Sequence, residues 1–248
     1  MSDTPPFLMR TELLLGAEKL EKLRKSHVLV LGVGGVGAYT AEMLVRAGIG
    51  ELTIVDGDTV EETNLNRQLA ALHSTFGKPK TTVLKERFLD INPDCIIHDI
   101  FEYMENEKTE KLLETYFDYA VDAIDSLSPK VYFLKRCLEL NIPVISSMGS
   151  GGRLDPLAIE VADISKTYNC GLARAVRQKL KKLGITKGIK TVFSAESVPP
   201  EAVIAYTDES GYNHSVTGTV SYIVAVFGCV LASEVIKNIS NTNLCAKK

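Results

Sequence analysis

The chain has 248 residues, 45% of them hydrophobic and 24% charged, with a formal net charge of −3. That length suits one large α/β domain, or a core with a substantial extension, and the composition is that of an ordinary soluble globular protein. A molecule coated in positive charge is excluded, though a local basic face is not, since partners feel local fields.

The first periodic stretch, residues 12–25, reads as a helix with Leu13, Leu20 and Leu23 among its apolar positions. The apolar strand 28–31 then runs into Gly32-x-Gly34-x-x-Gly37, with Gly35 between, and a helix over 37–47 keeps Ala41, Leu44 and Val45 on one face. With a strand over 52–55 this makes a right-handed βαβ unit. A helix follows Lys78-Pro79-Lys80, Asn92-Pro93-Asp94 stops it, and residues 95–98 read as the next strand. Helix 107–116, strand 119–121, a helix from about 129 to 140 and strand 144–147 continue the alternation. Alternation throughout 28–147 predicts a Rossmann-like, doubly wound, mostly parallel sheet with helices on both faces.

Glycines 149, 151 and 152 break the pattern, so residues 1–150 are expected to form a nucleotide-binding core and 151–248 its C-terminal extension. In that extension, 159–164 reads as a strand, and Leu172, Val176, Leu180 and Leu183 keep one helix face apolar. The other face is basic: no acidic residue lies between Asp163 and Glu196, while Lys166, Arg174, Arg177, Lys179, Lys181, Lys182, Lys187 and Lys190 do. Residues 197–215, with Pro199-Pro200 and Asp208 to Gly211, read as a long exposed loop. The uncharged segment 216–233 is at the short limit for a bilayer span and reads better as a buried helix closing the core. The five cysteines, Cys95, Cys137, Cys170, Cys229 and Cys245, form no C-x-x-C pair. This scattered set, with a polar start unlike an export signal, points to reduced thiols in a cytoplasm and no membrane.

Glycines in the first turn let a nucleotide phosphate approach the backbone and meet helix-start N–H groups, a fingerprint shared by several nucleotide-binding classes. Asp56, at the end of the second strand, is placed either to accept ribose hydroxyls or simply to close an acidic turn with Asp58. Asn64, Asn66, Arg67 and Gln68 suit either a phosphate-neutralising helix start or a capped, solvated one. Lys80 is either an exposed cation or a point charge for a β- or γ-phosphate. Asp122 and Asp125 follow a strand at its carboxyl end, where ligands collect. Asp125 is the better Mg²⁺ ligand, and Asp122 the better loop brace. The basic helix is either a solvated lysine-rich face or a contact for a polyanion.

Taken together, Gly32 to Gly37, Asp56-Gly57-Asp58, Asn64 to Gln68, Lys80 and Asp122 to Ser126 resemble the ATP-binding core of the ubiquitin-activating superfamily, whose bacterial members include the ThiF- and MoeB-type adenylating enzymes. The resemblance implies that Asp56 holds ribose, Arg67 and Lys80 the phosphates and Asp125 magnesium, with Asp58 and Ser126 in the same set. It further implies that Arg10 is supplied across a homodimer interface. The paired zinc cysteines of those types are missing. Instead Ala123 to Ser126, Gly151 to Pro156, Val161 to Thr167, Leu172-Ala173-Arg174 and Val192-Phe193-Ser194 resemble the tRNA threonylcarbamoyladenosine dehydratase branch, with Arg153 a minor departure in a polar loop.

That branch implies adenylation of the threonyl carboxylate by ATP, ring closure by the neighbouring ureido group, and release of AMP and pyrophosphate. The attacking group belongs to the substrate, so no catalytic cysteine is needed. Lys166, Arg174, Arg177, Lys181 and Lys182 then become the expected tRNA contacts. A sulfur-acceptor or cysteine-desulfurase protein is a further partner the resemblance raises, and the alternative activity is adenylation of a ubiquitin-like sulfur carrier.

Overall fold

The computed structural model describes residues 4–207 and 213–241. Its N-terminal stretch is two helices, α1 (Met9–Leu15) and α2 (Ala17–Arg24), rather than the single helix expected over 12–25. Gly16 separates them at φ +89° and ψ 154°, a conformation that only glycine adopts cheaply. Helix α2 buries Leu20 and Leu23, whereas α1 buries nothing and leaves Leu13 89% and Leu14 73% exposed.

The main sheet begins with β1 (His27–Leu31), α3 (Gly37–Ala47) and β2 (Glu51–Asp56). It continues through α4 (Lys80–Ile91), β3 (Ile96–Phe101), α5 (Asn106–Leu112), β4 (Tyr119–Asp122), α6 (Leu127–Glu139) and β5 (Val144–Ser147). Next come β6 (Ile159–Asp163), α7 (Gly171–Lys182) and β7 (Lys190–Ser194). The seven strands lie in the order β3-β2-β1-β4-β5-β7-β6, parallel except for β6 against β7. Residues beyond 150 therefore extend the same sheet.

Every residue of β1 is buried, as a strand covered on both faces requires. Its alternation divides the core. Val28 and Val30 face the cluster built with α3, α4 and the last helix, α8 (Ser221–Ile239). Leu29 and Leu31 face the cluster built with α5, α6 and α7. Helix α8 is long and apolar enough to cross a membrane. Here Ile223, Val224, Phe227, Leu231, Ala232 and Val235 are buried in the protein core instead, as the closing helix expected from sequence.

The loop expected over 197–215 is corrected. It holds a two-stranded antiparallel ribbon, β8 (Val203–Thr207) with β9 (Asn213–Thr217), in which Val203 pairs with Thr217 and Ile204 with Val216. Prolines and polar residues dominate the composition of that segment and conceal two short strands rich in β-branched residues. Residues 208–211 and Cys245 lie outside the described residues.

Candidate active site

Side chains expected from the sequence to bind nucleotide converge at the carboxyl ends of β1, β2 and β4, where the strand order reverses. Two glycines make the first turn possible. A Cβ at Gly32 (φ +85°) would lie 2.8 Å from the Ala123 carbonyl oxygen, and one at Gly37 would lie 1.8 Å from the Gly32 oxygen. The glycine loop thus packs directly on the loop after β4. Gly34 opens toward Gln68, whose amide nitrogen would stand 3.8 Å from an added Cβ.

Asp56 closes this loop from below. Its carboxylate accepts the Val33 N–H at 2.8 Å and the Asp58 N–H at 2.9 Å. Burial pushes the Asp56 carboxyl up, against the pull of Lys80 and of those two N–H donors. Lys80 begins α4, is only 4% exposed, and donates from Nζ to Asp58 Oδ2 at 2.7 Å. Tyr103 Oη donates to the other Asp58 oxygen at 2.7 Å. Burial works to raise Asp58, but Lys80 and Tyr103 outweigh it and hold the carboxyl below the usual range. A buried lysine is thus tied to one half-exposed carboxylate, a fixed point charge of the kind that can neutralise a phosphate.

Asn64 caps a short turn by accepting the Glu61 N–H at 3.1 Å. Asn66 donates to the Thr219 carbonyl at 3.0 Å, tying this segment to the entry of α8. Arg67 donates to the Thr63 carbonyl at 2.8 Å and to Asn66 Oδ1 at 2.9 Å. Gln68 Oε1 is buried with no hydrogen-bond partner among the described residues. An orphaned amide oxygen beside a glycine cradle is what a bound group with N–H or O–H donors would satisfy, and the adenosine of ATP carries both.

Below the β4 loop, Asp122 is fully buried and contacts Lys130 Nζ at 2.8 Å, with neither side chain exposed. It also accepts from Ser146 Oγ and, at 3.2 Å, from the Ile124 N–H, while Lys130 donates to the Ile124 carbonyl at 2.7 Å. Burial raises the Asp122 carboxyl despite Lys130. Asp122 is therefore placed as a brace for the loop and not as an open ligand, although it falls within the run Asp122 to Ser126 that carries the resemblance. Asp125 and Ser126 are exposed on the same loop, where the Ser126 hydroxyl contacts the Asp125 carboxylate at 3.4 Å. The Asp125 carboxylate is open to solvent and suits Mg²⁺, which prefers one carboxylate plus phosphate oxygens.

The remaining candidates lie elsewhere. Arg10 is exposed on α1. Lys166, Arg174, Lys181 and Lys182 are exposed on or beside α7, whose Ala173, Val176 and Leu180 face the core. Arg177 is half-buried and donates to the Thr167 carbonyl at 2.9 Å. With Arg174, Lys181, Ser165 and Ile164 it lines a surface cavity of about 340 Å³.

Three contributors escaped the sequence reading: Tyr103, Lys130 and Ser146. They become visible only once the sheet aligns β3, β4, β5 and α6. Arg153, read from sequence as part of a polar loop, is only 2% exposed and donates to the Asn169 carbonyl at 2.6 Å. Among the described residues no cysteine takes part. Cys95, Cys137 and Cys170 are buried, and burial pushes the Cys95 thiol up to about 12, so that it is not a nucleophile at neutral pH.

Comparison with known proteins agrees with this geometry. The chain is 47% identical over 188 residues to the tRNA threonylcarbamoyladenosine dehydratase of Bacillus subtilis (strain 168), covering 76% of this chain and 74% of that one. It superposes with a TM-score of 0.86 and 33% identity on the crystal structure of the E. coli tRNA N6-threonylcarbamoyladenosine dehydratase TcdA in complex with ATP, covering 94% of this chain and 93% of that one. The molybdopterin-synthase adenylyltransferase of Haemophilus influenzae matches at 32% identity over 126 residues, only 51% of this chain. The ThiF family model matches residues 8–248, spanning the glycine loop, the Lys80–Asp58 pair and the basic helix alike, and the chain belongs to the ThiF family.

Proposed function

We propose that this protein is an ATP-dependent dehydratase acting on N6-threonylcarbamoyladenosine in tRNA. The single observation that carries the reading is the match to the ATP-bound E. coli dehydratase over more than nine-tenths of both chains. The match to a sulfur-carrier-type adenylating enzyme covers only half of this chain. In the proposed reaction the threonyl carboxylate attacks the α-phosphorus of ATP and pyrophosphate leaves. The ureido nitrogen then attacks the activated carbonyl, giving up its proton as the ring closes and AMP departs. The net change in the base is loss of one water.

No protein nucleophile is required, so the side chains work by positioning and charge neutralisation. Asp56 and Gln68 would orient the nucleoside, and Lys80 and Arg67 would neutralise the phosphates. Mg²⁺, held by Asp125, would add charge neutralisation on the phosphate oxygens. The exposed apolar face of α1, with Leu13 and Leu14, supports a homodimer in which Arg10 reaches the partner's site. Lys166, Arg174, Arg177, Lys181 and Lys182 would follow the tRNA backbone. A soluble cytoplasmic enzyme fits such a substrate, and a sulfur-acceptor or cysteine-desulfurase protein would act as an accessory partner.

The test is to mix the purified protein, ATP and Mg²⁺ with tRNA that carries or lacks the modified base, following AMP release and nucleoside mass. AMP appearing only with the modified tRNA, together with loss of one water from the base, is the expected result. Release of AMP driven by a sulfur-carrier protein and not by tRNA would replace this reading with the alternative.

A further inference from the structure

We propose that His27, Glu51 and His98 form a binding site for one Zn²⁺ ion at the amino-terminal edge of the sheet, at the opposite end of the strands from the nucleotide loops. Parallel register creates the cluster. His27 pairs with Glu51, and Thr53 pairs with His98, on three adjacent strands. The period of two along each strand then sends all four side chains to the same sheet face.

One donor atom from each of His27, Glu51 and His98 lies within 4.8 Å of the others. Glu51 Oε1 is 3.6 Å from His27 Nδ1 and 2.8 Å from His98 Nε2. Donors around tetrahedral zinc stand about 3.3 Å apart, given metal–ligand bonds of about 2.0–2.1 Å. The observed separations bracket that value, so small rotations of two partly exposed side chains close the site. Two imidazoles and one carboxylate suit Zn²⁺ better than Mg²⁺ or Ca²⁺, and they leave a fourth position for water.

The surroundings of His27 favour a ligand over a casual ion pair. Its Nε2 lies 2.8 Å from Thr53 Oγ1, so that the N–H can point away from Glu51 and leave a lone pair on Nδ1. Ligating histidines characteristically donate their other ring N–H in this way. Phe117 packs on the ring at 4.6 Å, and the His27 backbone N–H donates to Asp118 at 2.8 Å, which fixes the position from two sides. Cys95, just before β3, is buried in the cluster on the opposite sheet face, so a thiolate ligand would place the ion elsewhere.

The full chain, stripped with a chelator and dialysed, is titrated with Zn²⁺ in excess Mg²⁺ against a chromophoric competitor. One equivalent should bind and raise the melting temperature. Removing the outer acceptor by Thr53→Val should weaken binding about 10-fold. His98→Ala or Glu51→Gln, each removing a ligand at a partly exposed position, should weaken it at least about 100-fold. Co²⁺ in place of zinc should give the visible bands of a four-coordinate nitrogen–oxygen site. The proposal is overturned by no stoichiometric binding, by undiminished binding in both ligand variants, or by a thiolate-to-cobalt charge-transfer band.

Discussion

Lys130 and Asp122 form an ion pair that no solvent reaches, and it supports the loop carrying Asp125. Removing one partner leaves a buried charge uncompensated, which costs about 3–5 kcal/mol. Lys130→Met should therefore lower the urea midpoint sharply. Lys130→Met combined with Asp122→Asn should recover most of the loss. If the double variant is no more stable than the single one, the pair is not the reason the loop stays in place.

Lys80 offers a separate measurement, because its Nζ is held by Asp58. Lys80→Met should reduce tRNA-dependent AMP formation by about 10²–10³-fold, the scale of losing one preorganised charge contact in a site. Asp58→Asn frees the lysine without removing it and should cost less. Equal losses in the two variants would assign the catalytic contribution to the carboxylate instead.

The two ends of the glycine loop should behave differently. Gly37→Ala drives a methyl group to within 1.8 Å of the Gly32 carbonyl and should unfold the loop, visible as a lower melting temperature without ATP. Gly34→Ala meets nothing nearer than 3.8 Å and should fold normally. Its methyl faces Gln68, so the cost should appear in ATP affinity by calorimetry. Normal ATP binding in Gly34→Ala would move the nucleotide away from Gln68.

Glu42 links α3 to α4 through Arg87 at 2.6 Å and also pairs with Arg46 of its own helix at 2.8 Å, with only 6% of its side chain exposed. Burial works to raise its carboxyl, but the two guanidinium groups outweigh burial and hold it below the usual range. A depressed folded value means the contribution is fully present above the unfolded value of about 4.3 and is lost as pH falls through the folded value. Urea midpoints measured from pH 6 down to 3 should fall less steeply in Glu42→Gln than in the parent protein.

Charge reversal at Lys181 and Lys182 tests the basic helix. Both are exposed, so the fold should be untouched. Binding to tRNA should weaken, and the slope of log affinity against log salt should shrink by about 1 for each phosphate no longer neutralised. An unchanged slope would take α7 out of the tRNA footprint. Arg177 is the less suitable probe, because its hydrogen bond to Thr167 mixes stability into the result.

By itself the sequence determined the layered α/β architecture, since hydrophobic period and glycine punctuation are local properties of the chain. Val28 to Leu31 followed by Gly32 to Gly37 states its strand and turn within ten residues, and Asp56 and Lys80 sit at element ends that the same pattern marks. Tertiary structure alone decided which of these polar groups are engaged and which are open. Asp122 and Asp125 are three residues apart and chemically identical, yet one is buried against Lys130 and the other faces solvent. The difference arises from how α6 returns across β4, a long-range packing arrangement that no local window contains. His27, Glu51 and His98 carry the same lesson: 71 residues separate the first from the last, and only strand register brings them together.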